Sequence, residues 1–303
     1  MPAPIGPLLP ALAVAAAASA WGLWWAPLRA LTHLGMPGWL GSALIYLFAV
    51  AVLAPLARRS AHRTRPRIPG RNQWALAGSV LLGASYATWN GALLGGEVVR
   101  AVVLFYLAPL WTTTLVAARE RTLPGRGRMA ALGLGLGGAL VLLGGEAGVP
   151  LPQSRGDWLG LAAGMLFAAA LVAIRLSAAS THGLTDTARG FAAAALCSLP
   201  LALVLPAPAP PAGHEPALWA ALGLAALAGA AWVVPQTALL YWGSRRLDPG
   251  RVSLLMLLEL VVAAGSAAVL AAERLAWHEW LGCAAVLGAG VVDTLALARR
   301  RRR

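Results

Sequence analysis

The stretch GWLGSALIYLFAVAVLAPLA (residues 38–57), followed by RRSAHRTRPRIPGR (58–71), contains the pattern on which the fold class depends. The first part has no charged residue, and about 20 such residues form a helix long enough to cross the hydrocarbon core of a bilayer. The second part is rich in arginine, as cytoplasmic loops of membrane proteins are. Together they predict a membrane-spanning helix that ends in a cytoplasmic loop.

The overall composition points to the same class. The chain has 303 residues, of which 59% are hydrophobic and 12% are charged, whereas soluble domains have about 45–50% apolar and about 25% charged residues. A soluble globule of this size could not bury so much apolar surface. The composition therefore excludes a cytosolic enzyme, a disordered tail and a secreted disulfide scaffold, and it predicts an all-α integral membrane protein.

Ten stretches are long and apolar enough to be transmembrane helices. They are residues 8–28, 38–57, 73–94, 98–117, 128–145, 158–176, 185–205, 216–242, 252–271 and 278–298. All but four of the 24 basic residues, every one an arginine, lie in alternate loops or the C-terminal tail. This asymmetry predicts ten spans with both termini in the cytoplasm. Because the arginines occupy short loops and form no basic helix face, no nucleic-acid partner is expected.

The two halves of the chain resemble each other. Residues 21–29 begin with Trp-Gly and end in Arg, and residues 167–175 begin with Phe-Ala and end in Arg. Glu-Arg pairs at 120–121 and 273–274 follow the fourth and ninth stretches. Each half holds five predicted helices, an odd number, so the second copy would insert upside down relative to the first. The predicted five-helix repeats are residues 1–150 and 151–303.

Several short motifs resemble those of one transporter family. The motifs AWGLWW (20–25), GDWLGLAA (156–163) and LELV (258–261, with Leu260 where Pro is usual) resemble the EamA-type ten-helix branch of the drug/metabolite transporter superfamily. Within that branch, SY (85–86) and YLAP (106–109) resemble YddG-type exporters of aromatic and other amino acids. The resemblance implies a secondary transporter of the bacterial cytoplasmic membrane, which exports amino acids by alternating access through a central cavity.

Glu259 is the most informative ionisable residue because it lies near the centre of the ninth stretch. A charge there costs at least ~2.5 kcal/mol on insertion scales. One interpretation is proton coupling or contact with a substrate ammonium group, and the other is a protonated structural carboxyl bonded to a neighbouring helix. Asp293 lies close to Arg299 and the predicted inner interface, where we expect it to form an ion pair.

Aromatic residues supply most of the predicted binding site. Six of the 13 tryptophans fit interfacial belts, namely Trp39, Trp74, Trp158, Trp219, Trp277 and Trp280. A pocket for an aromatic or bulky apolar substrate needs aromatic surfaces and a few polar groups. The predicted wall consists of Trp21, Tyr86, Asn90, Tyr106, Trp111, Phe167, Trp232, Gln236 and Glu259. For each member, packing against lipid or another helix is the alternative.

Two prolines interrupt predicted spans. Pro109 and Pro235 each remove a backbone donor, and they would act either as hinges or as simple packing kinks. The residues suggest no metal site or cofactor, because the only histidine in a predicted span is His278, at the very start of the tenth, and Cys197 and Cys283 have no CxxC partner. The alternatives to amino-acid export are export of another metabolite or a cationic drug, a passive channel, and a membrane-embedded enzyme.

Overall fold

The computed structural model describes residues 8–61, 71–95, 98–142, 151–177, 183–204, 217–270 and 276–301, and these contain helices and no strand. The first half contains α1 Leu8–Gly22, α2 Trp25–His33, α3 Gly38–Ala61, α4 Arg71–Gly95, α5 Val98–Phe105, α6 Ala108–Glu120 and α7 Arg126–Leu142. The second half contains α8 Arg155–Leu176, α9 Gly183–Val204, α10 Leu218–Leu227, a π-helix Ala228–Val233, α11 Val234–Ser244, α12 Pro249–Met256, α13 Leu258–Leu270 and α14 Trp277–Arg301.

The predicted all-α class is confirmed, and each of the ten predicted stretches corresponds to a helical segment. Four of the segments are not continuous α-helices. Breaks separate α1 from α2, α5 from α6 and α12 from α13, and a π-helix joins α10 to α11. The break between α1 and α2 falls inside a stretch that the hydropathy pattern predicts as one helix.

By length and composition alone, six helical stretches among the described residues could cross a membrane. They are Leu8–Leu28, Gly38–Arg59, Ala101–Glu120, Arg155–Leu176, Leu218–Ser244 and Pro249–Ser266. The other four segments are α4, α7, α9 and α14. Of these, α7 has 17 residues, and α14 carries charged residues at both ends.

The outer surface of the assembly is apolar. Large side chains such as Leu12, Leu47, Leu196 and Leu287 are exposed on helix faces. A soluble monomer rarely exposes contiguous apolar surface of this kind, whereas the lipid-facing side of a helical membrane protein does. Five of the six tryptophans predicted for interfacial belts are also exposed, and Trp39 is half-buried.

Small residues let the helices approach closely. A Cβ added at Gly83 of α4 would lie 2.2 Å from the backbone oxygen of Gly190 in α9. In the glycine-rich run of α7, Gly135 and Gly138 pack in the same way, the latter against α14. A Cβ built at Gly137, by contrast, has no atom within 4 Å. Close contact through small residues is the usual basis of helix association in membranes.

Helix contacts across the two halves come in matching pairs. When each helix is replaced by its equivalent in the other half, the contact of α4 with α8 becomes that of α11 with α1. In the same way, the contacts of α5 and α6 with α8 become those of α12 and α13 with α1. The α4–α9 contact likewise corresponds to the contacts of α10 and the π-helix with α3. Two further pairs, α7–α14 and α3–α9, join equivalent helices directly.

One ionic cluster ties helix ends together around Arg128 of α7. Its guanidinium lies 2.7 Å from a carboxylate oxygen of Asp248 and 3.0 Å from one of Asp293 in α14. Asp248 also caps α12 through a hydrogen bond from the Arg251 backbone N–H. The expected ion pair of Asp293 therefore forms with a different helix, and the side chain of Arg299 lies outside the described residues.

A second ionic cluster centres on Asp186 of α9, which is almost fully buried. Its carboxylate pairs with Arg245 at the end of α11 and, at 3.4 Å, with Arg189. The Tyr241 hydroxyl donates to the Asp186 backbone carbonyl at 3.4 Å. Together the two clusters join α7, α9, α11, α12 and α14 at arginines that the sequence assigns to the cytoplasmic side.

Candidate functional site

A cavity lies between helices from both halves of the chain. Its wall is formed by Trp21, Ser85, Tyr86, Trp89, Phe105, Phe167, Met256 and Glu259. These residues belong to α1, α4, α5, α8, α12 and α13. The lining is mostly aromatic, with one ionisable group.

Two helix breaks adjoin this cavity. α5 ends at Phe105 and α6 begins at Ala108, whereas α12 ends at Met256 and α13 begins at Leu258. The backbone crosses the second break by tight turns, since the Leu257 N–H donates to the Leu254 carbonyl at 3.1 Å. Broken helices free backbone groups at mid-membrane depth, and such groups are tolerated where they line a cavity.

Glu259 lies in the first turn of α13, at the second break. The side chain thus lies at the N-terminal, positive end of the α13 dipole. The Tyr106 hydroxyl, which lies at the first break, donates a hydrogen bond to this carboxylate. Among the described residues, no arginine pairs with Glu259. The hydrogen bond joins the two broken helices, one from each half, beside the cavity.

Five aromatic rings of the wall form two groups around the carboxylate. The ring centroids of Trp21 and Tyr86 are 5.0 Å apart. On the other side, Phe105 lies 4.5 Å from Trp89 and 5.9 Å from Phe167, measured between centroids. Tilted rings at such distances attract each other by about 0.5–1.5 kcal/mol beyond their buried area, which holds the wall in place.

Gly22 fixes the position of Glu259. A Cβ added at Gly22 would lie 2.6 Å from the Glu259 backbone oxygen and 2.8 Å from the Val262 Cβ. Only a residue without a side chain allows α1 to lie this close to α13. The contact places the carboxylate next to Trp21, which precedes Gly22 in α1.

Comparison with known proteins gives a family for part of the chain. Residues 154–292 match the profile of the EamA-like transporter family. The matched residues lie in the second half of the chain, and the family they resemble is one of transporters.

The fold of the chain also occurs among solved structures. One, described only as "Crystal structure of protein", superposes with a TM-score of 0.70 at 24% sequence identity, covering 97% of this chain and 99% of its own. At that identity the likeness concerns the fold alone. No curated protein matches the chain.

Five of the predicted site residues meet at the central cavity. Trp21, Tyr86, Phe167 and Glu259 line it, and Tyr106 contacts it through its hydrogen bond to Glu259. These residues are far apart in sequence, and the contacts of α1, α4 and α8 bring them together. That they bind substrate stays a prediction.

Two predicted residues lie elsewhere. Asn90 lines a separate cavity with Leu28 and Leu31, and its amide donates to the Tyr46 hydroxyl at 3.2 Å. Trp111 lies on α6, away from the central cavity, and its buried indole N–H has no hydrogen-bond partner among the described residues. From the sequence, the helical period alone does not distinguish these two side chains from the ones that line the central cavity.

The residues predicted on the eighth stretch lie behind the wall. Trp232, in the π-helix, donates its indole N–H to the Ala20 carbonyl of α1 at 3.1 Å. The neighbouring Thr237 lies 3.4 Å from the Tyr86 hydroxyl. Gln236 is 2% exposed, and within the described part of the chain its side-chain amide has no partner. The π-helix thus supports α1 next to Trp21, and α11 supports Tyr86, both from outside the cavity.

Both predicted proline irregularities are confirmed. Pro109 lies in the first turn of α6, directly after the break between α5 and α6. Pro235 lies in the first turn of α11, directly after the π-helix, a feature that is frequent at functional sites. Their role as hinges remains a prediction.

The sequence-based prediction does not include four of the residues that line the cavity. They are Ser85, Trp89, Phe105 and Met256. Trp89 follows Tyr86 by three positions on α4, so the helical period could have placed it on the same face. Phe105 and Met256 end α5 and α12, and only the position of the breaks brings them to the cavity.

Proposed function

We propose that this chain exports small metabolites across a bacterial cytoplasmic membrane, and that these metabolites are amino acids, with aromatic amino acids among them. The transporter works by alternating access between inverted five-helix repeats, residues 1–150 and 151–303, with both termini in the cytoplasm. The observation that carries the proposal is the Glu259 carboxylate, which lies in an aromatic cavity at the meeting point of two broken helices.

The paired helix contacts support the inverted-repeat arrangement. When residues 1–150 are exchanged with 151–303, the contact of α4 with α8 becomes that of α11 with α1, and α7–α14 maps onto itself. A two-fold relation between the halves accounts for this pattern. A binding site at the interface of inverted repeats is typical of secondary transporters.

The proposed cycle uses the groups at the two breaks. A substrate ammonium group enters the cavity and donates hydrogen bonds to the Glu259 carboxylate, in place of the Tyr106 hydroxyl. The rings of Trp21, Tyr86 and Phe167 hold the apolar body. Rearrangement of the halves at the helix breaks then opens the cavity to the opposite side, as in other broken-helix carriers.

Counterflow in proteoliposomes tests this proposal. Vesicles preloaded with unlabelled phenylalanine are expected to accumulate labelled phenylalanine transiently, with saturable kinetics, because a carrier exchanges one solute for another. Protein-free vesicles are the control. If phenylalanine inside the vesicles accelerates uptake of labelled phenylalanine at no concentration, the result would favour a channel. If counterflow occurs only with other metabolites or with cationic drugs, one of these would be the cargo in place of amino acids.

A further inference from the structure

We infer that the ion pair between Arg128 and Asp248 is the latch of a cytoplasmic gate, which opens and closes once in every transport cycle. The polar cavity beside this pair is then the vestibule through which substrate enters from the cytoplasm. The inference rests on the proposed function, because it takes alternating access and the proposed orientation in the membrane as given. It adds which contact breaks when the central cavity opens to the cytoplasm.

Helix α12 connects the ion pair to the central cavity. Asp248 caps the N-terminal end of this helix, and Met256, which lines the central cavity, forms its other end. The helix has eight residues and is therefore about 12 Å long. Arg128 and Asp248 also line a second, polar cavity together with Thr113 and Glu120. The two cavities thus adjoin opposite ends of α12.

The helices between the two cavities are in direct contact. α6 packs against α12, and both helices have one end close to arginines that the sequence assigns to the cytoplasmic side. Beyond the two helix breaks, α5 packs against α8 and α13 packs against α1. A substrate can therefore pass from the polar cavity to the central cavity only when α6 and α12 separate.

The Arg128 guanidinium holds α12 in the closed position. It pairs with Asp248 at 2.7 Å and with Asp293 of α14 at 3.0 Å. A Cβ built at Gly250 would overlap the guanidinium, which therefore lies directly on the backbone of α12. Arg128 belongs to the first half of the chain and both carboxylates belong to the second. A movement that separates α12 from the first half therefore breaks the pair with Asp248.

The charges of the latch are not repeated at the equivalent positions of the other half. α5 and α12 begin 151 positions apart, as do α7 and α14. By this offset Arg128 corresponds to Glu279, and Asp248 corresponds to Glu97. Two acidic residues cannot form an ion pair, and the Glu279 carboxylate accepts a hydrogen bond from the Ala276 backbone N–H at the start of its own helix. The latch therefore favours the state in which the cytoplasmic gate is closed.

Accessibility of a residue on α12 reports whether the gate is open. Ser253 is 2% exposed and lies three positions before Met256, so the two side chains share one face of α12. Ser253→Cys, in a background with Cys197→Ser and Cys283→Ala, gives a thiol that is buried while the gate is closed. An impermeant maleimide is expected to reach it from the cytoplasmic face when α6 and α12 separate.

Asp248→Asn tests the latch, because asparagine still caps α12 but carries no charge for Arg128. We expect maleimide to label position 253 from the cytoplasmic face about 2- to 5-fold faster in this variant, since loss of a partly exposed ion pair shifts an equilibrium by about that factor. Glu279→Gln, which also replaces a capping carboxylate by an amide, is the matched control and is expected to leave the rate unchanged. An unchanged rate in Asp248→Asn would overturn the inference.

Cross-linking distinguishes a latch that opens from a contact that stays closed. In the double variant Arg128→Cys/Asp248→Cys, a short bifunctional methanethiosulfonate joins the two positions through disulfides that a reductant cleaves. We expect the cross-link to slow counterflow of a substrate that the wild type exchanges by at least about tenfold, and the reductant to restore it, because gate opening is an obligatory step. A monofunctional methanethiosulfonate on the same variant is the control and is expected not to block counterflow.

The outcomes separate this inference from the proposed function. Undiminished counterflow in the cross-linked protein would overturn the latch and leave the proposed function intact, because the two positions would then stay together throughout the cycle. Absence of counterflow in the wild type would contradict the proposed function itself.

Discussion

Replacing Glu259 with glutamine is expected to lower counterflow of amine-bearing substrates by about 30-fold or more. The substitution keeps the size of the side chain and a hydrogen-bonding oxygen for Tyr106, but it removes the charge that faces the substrate ammonium group. Truncating one partner of a buried charge pair typically costs 2–5 kcal/mol, and 2 kcal/mol corresponds to about 30-fold. The measurement is the initial rate of counterflow in proteoliposomes at equal protein content.

Glu279→Gln is the matched control for this variant. The Glu279 carboxylate accepts a hydrogen bond from the Ala276 backbone N–H at the start of α14, away from the cavity lining. A glutamine oxygen can accept the same bond, so transport is expected to change by less than about twofold. Suppose that Glu259→Gln gives counterflow at the wild-type rate with the same dependence on pH. Glu259 would then neither contact the substrate nor couple transport to protons.

Replacing Gly83 with alanine is expected to destabilise the protein by about 1–3 kcal/mol. The new Cβ would lie 2.2 Å from the Gly190 carbonyl oxygen and 2.7 Å from the Ala193 Cβ. These are backbone and short side-chain atoms that cannot rotate away, so α4 and α9 must separate, and overpacking of this kind costs about that amount. A lower thermal unfolding midpoint in detergent measures the effect.

Gly137→Ala tests whether the loss at Gly83 comes from the helix contact. A Cβ at Gly137 meets no atom within 4 Å, and alanine has a higher helix propensity by about 1 kcal/mol. We therefore expect an unchanged or slightly raised unfolding midpoint. Equal destabilisation by both substitutions would show that the close approach of α4 and α9 does not limit stability.

The helices could be predicted from sequence because hydropathy and charge act locally. Long apolar stretches and arginine-rich loops define ten helical segments, and the prolines at 109 and 235 mark two of the irregular points. The break at Leu257 has no such marker, since Leu260 stands where a proline is usual in the resembling motif. Hydropathy is insensitive to that break because the residues on either side are equally apolar.

The cavity could be predicted only in part, because its wall depends on helix packing. Trp21, Tyr86 and Phe167 were identified because each is an aromatic residue deep in an apolar stretch. Asn90 and Trp111 have the same character, but their helices carry them away from the cavity. The partner of Asp293 was also missed, since Arg128 is distant in sequence and reaches it only through the contact of α7 with α14.

The most direct test of the account is a cysteine-accessibility map, because equivalent positions of inverted repeats must emerge on opposite faces of the membrane. Arg126 and Trp277 begin α7 and α14, the last helices of the two halves, and Arg246 serves as a cytoplasmic reference. Each is replaced by cysteine in a background with Cys197→Ser and Cys283→Ala. The account predicts that an impermeant maleimide labels positions 126 and 246 from the cytoplasmic face and position 277 from the opposite face. Labelling of 126 and 277 from the same face would contradict it.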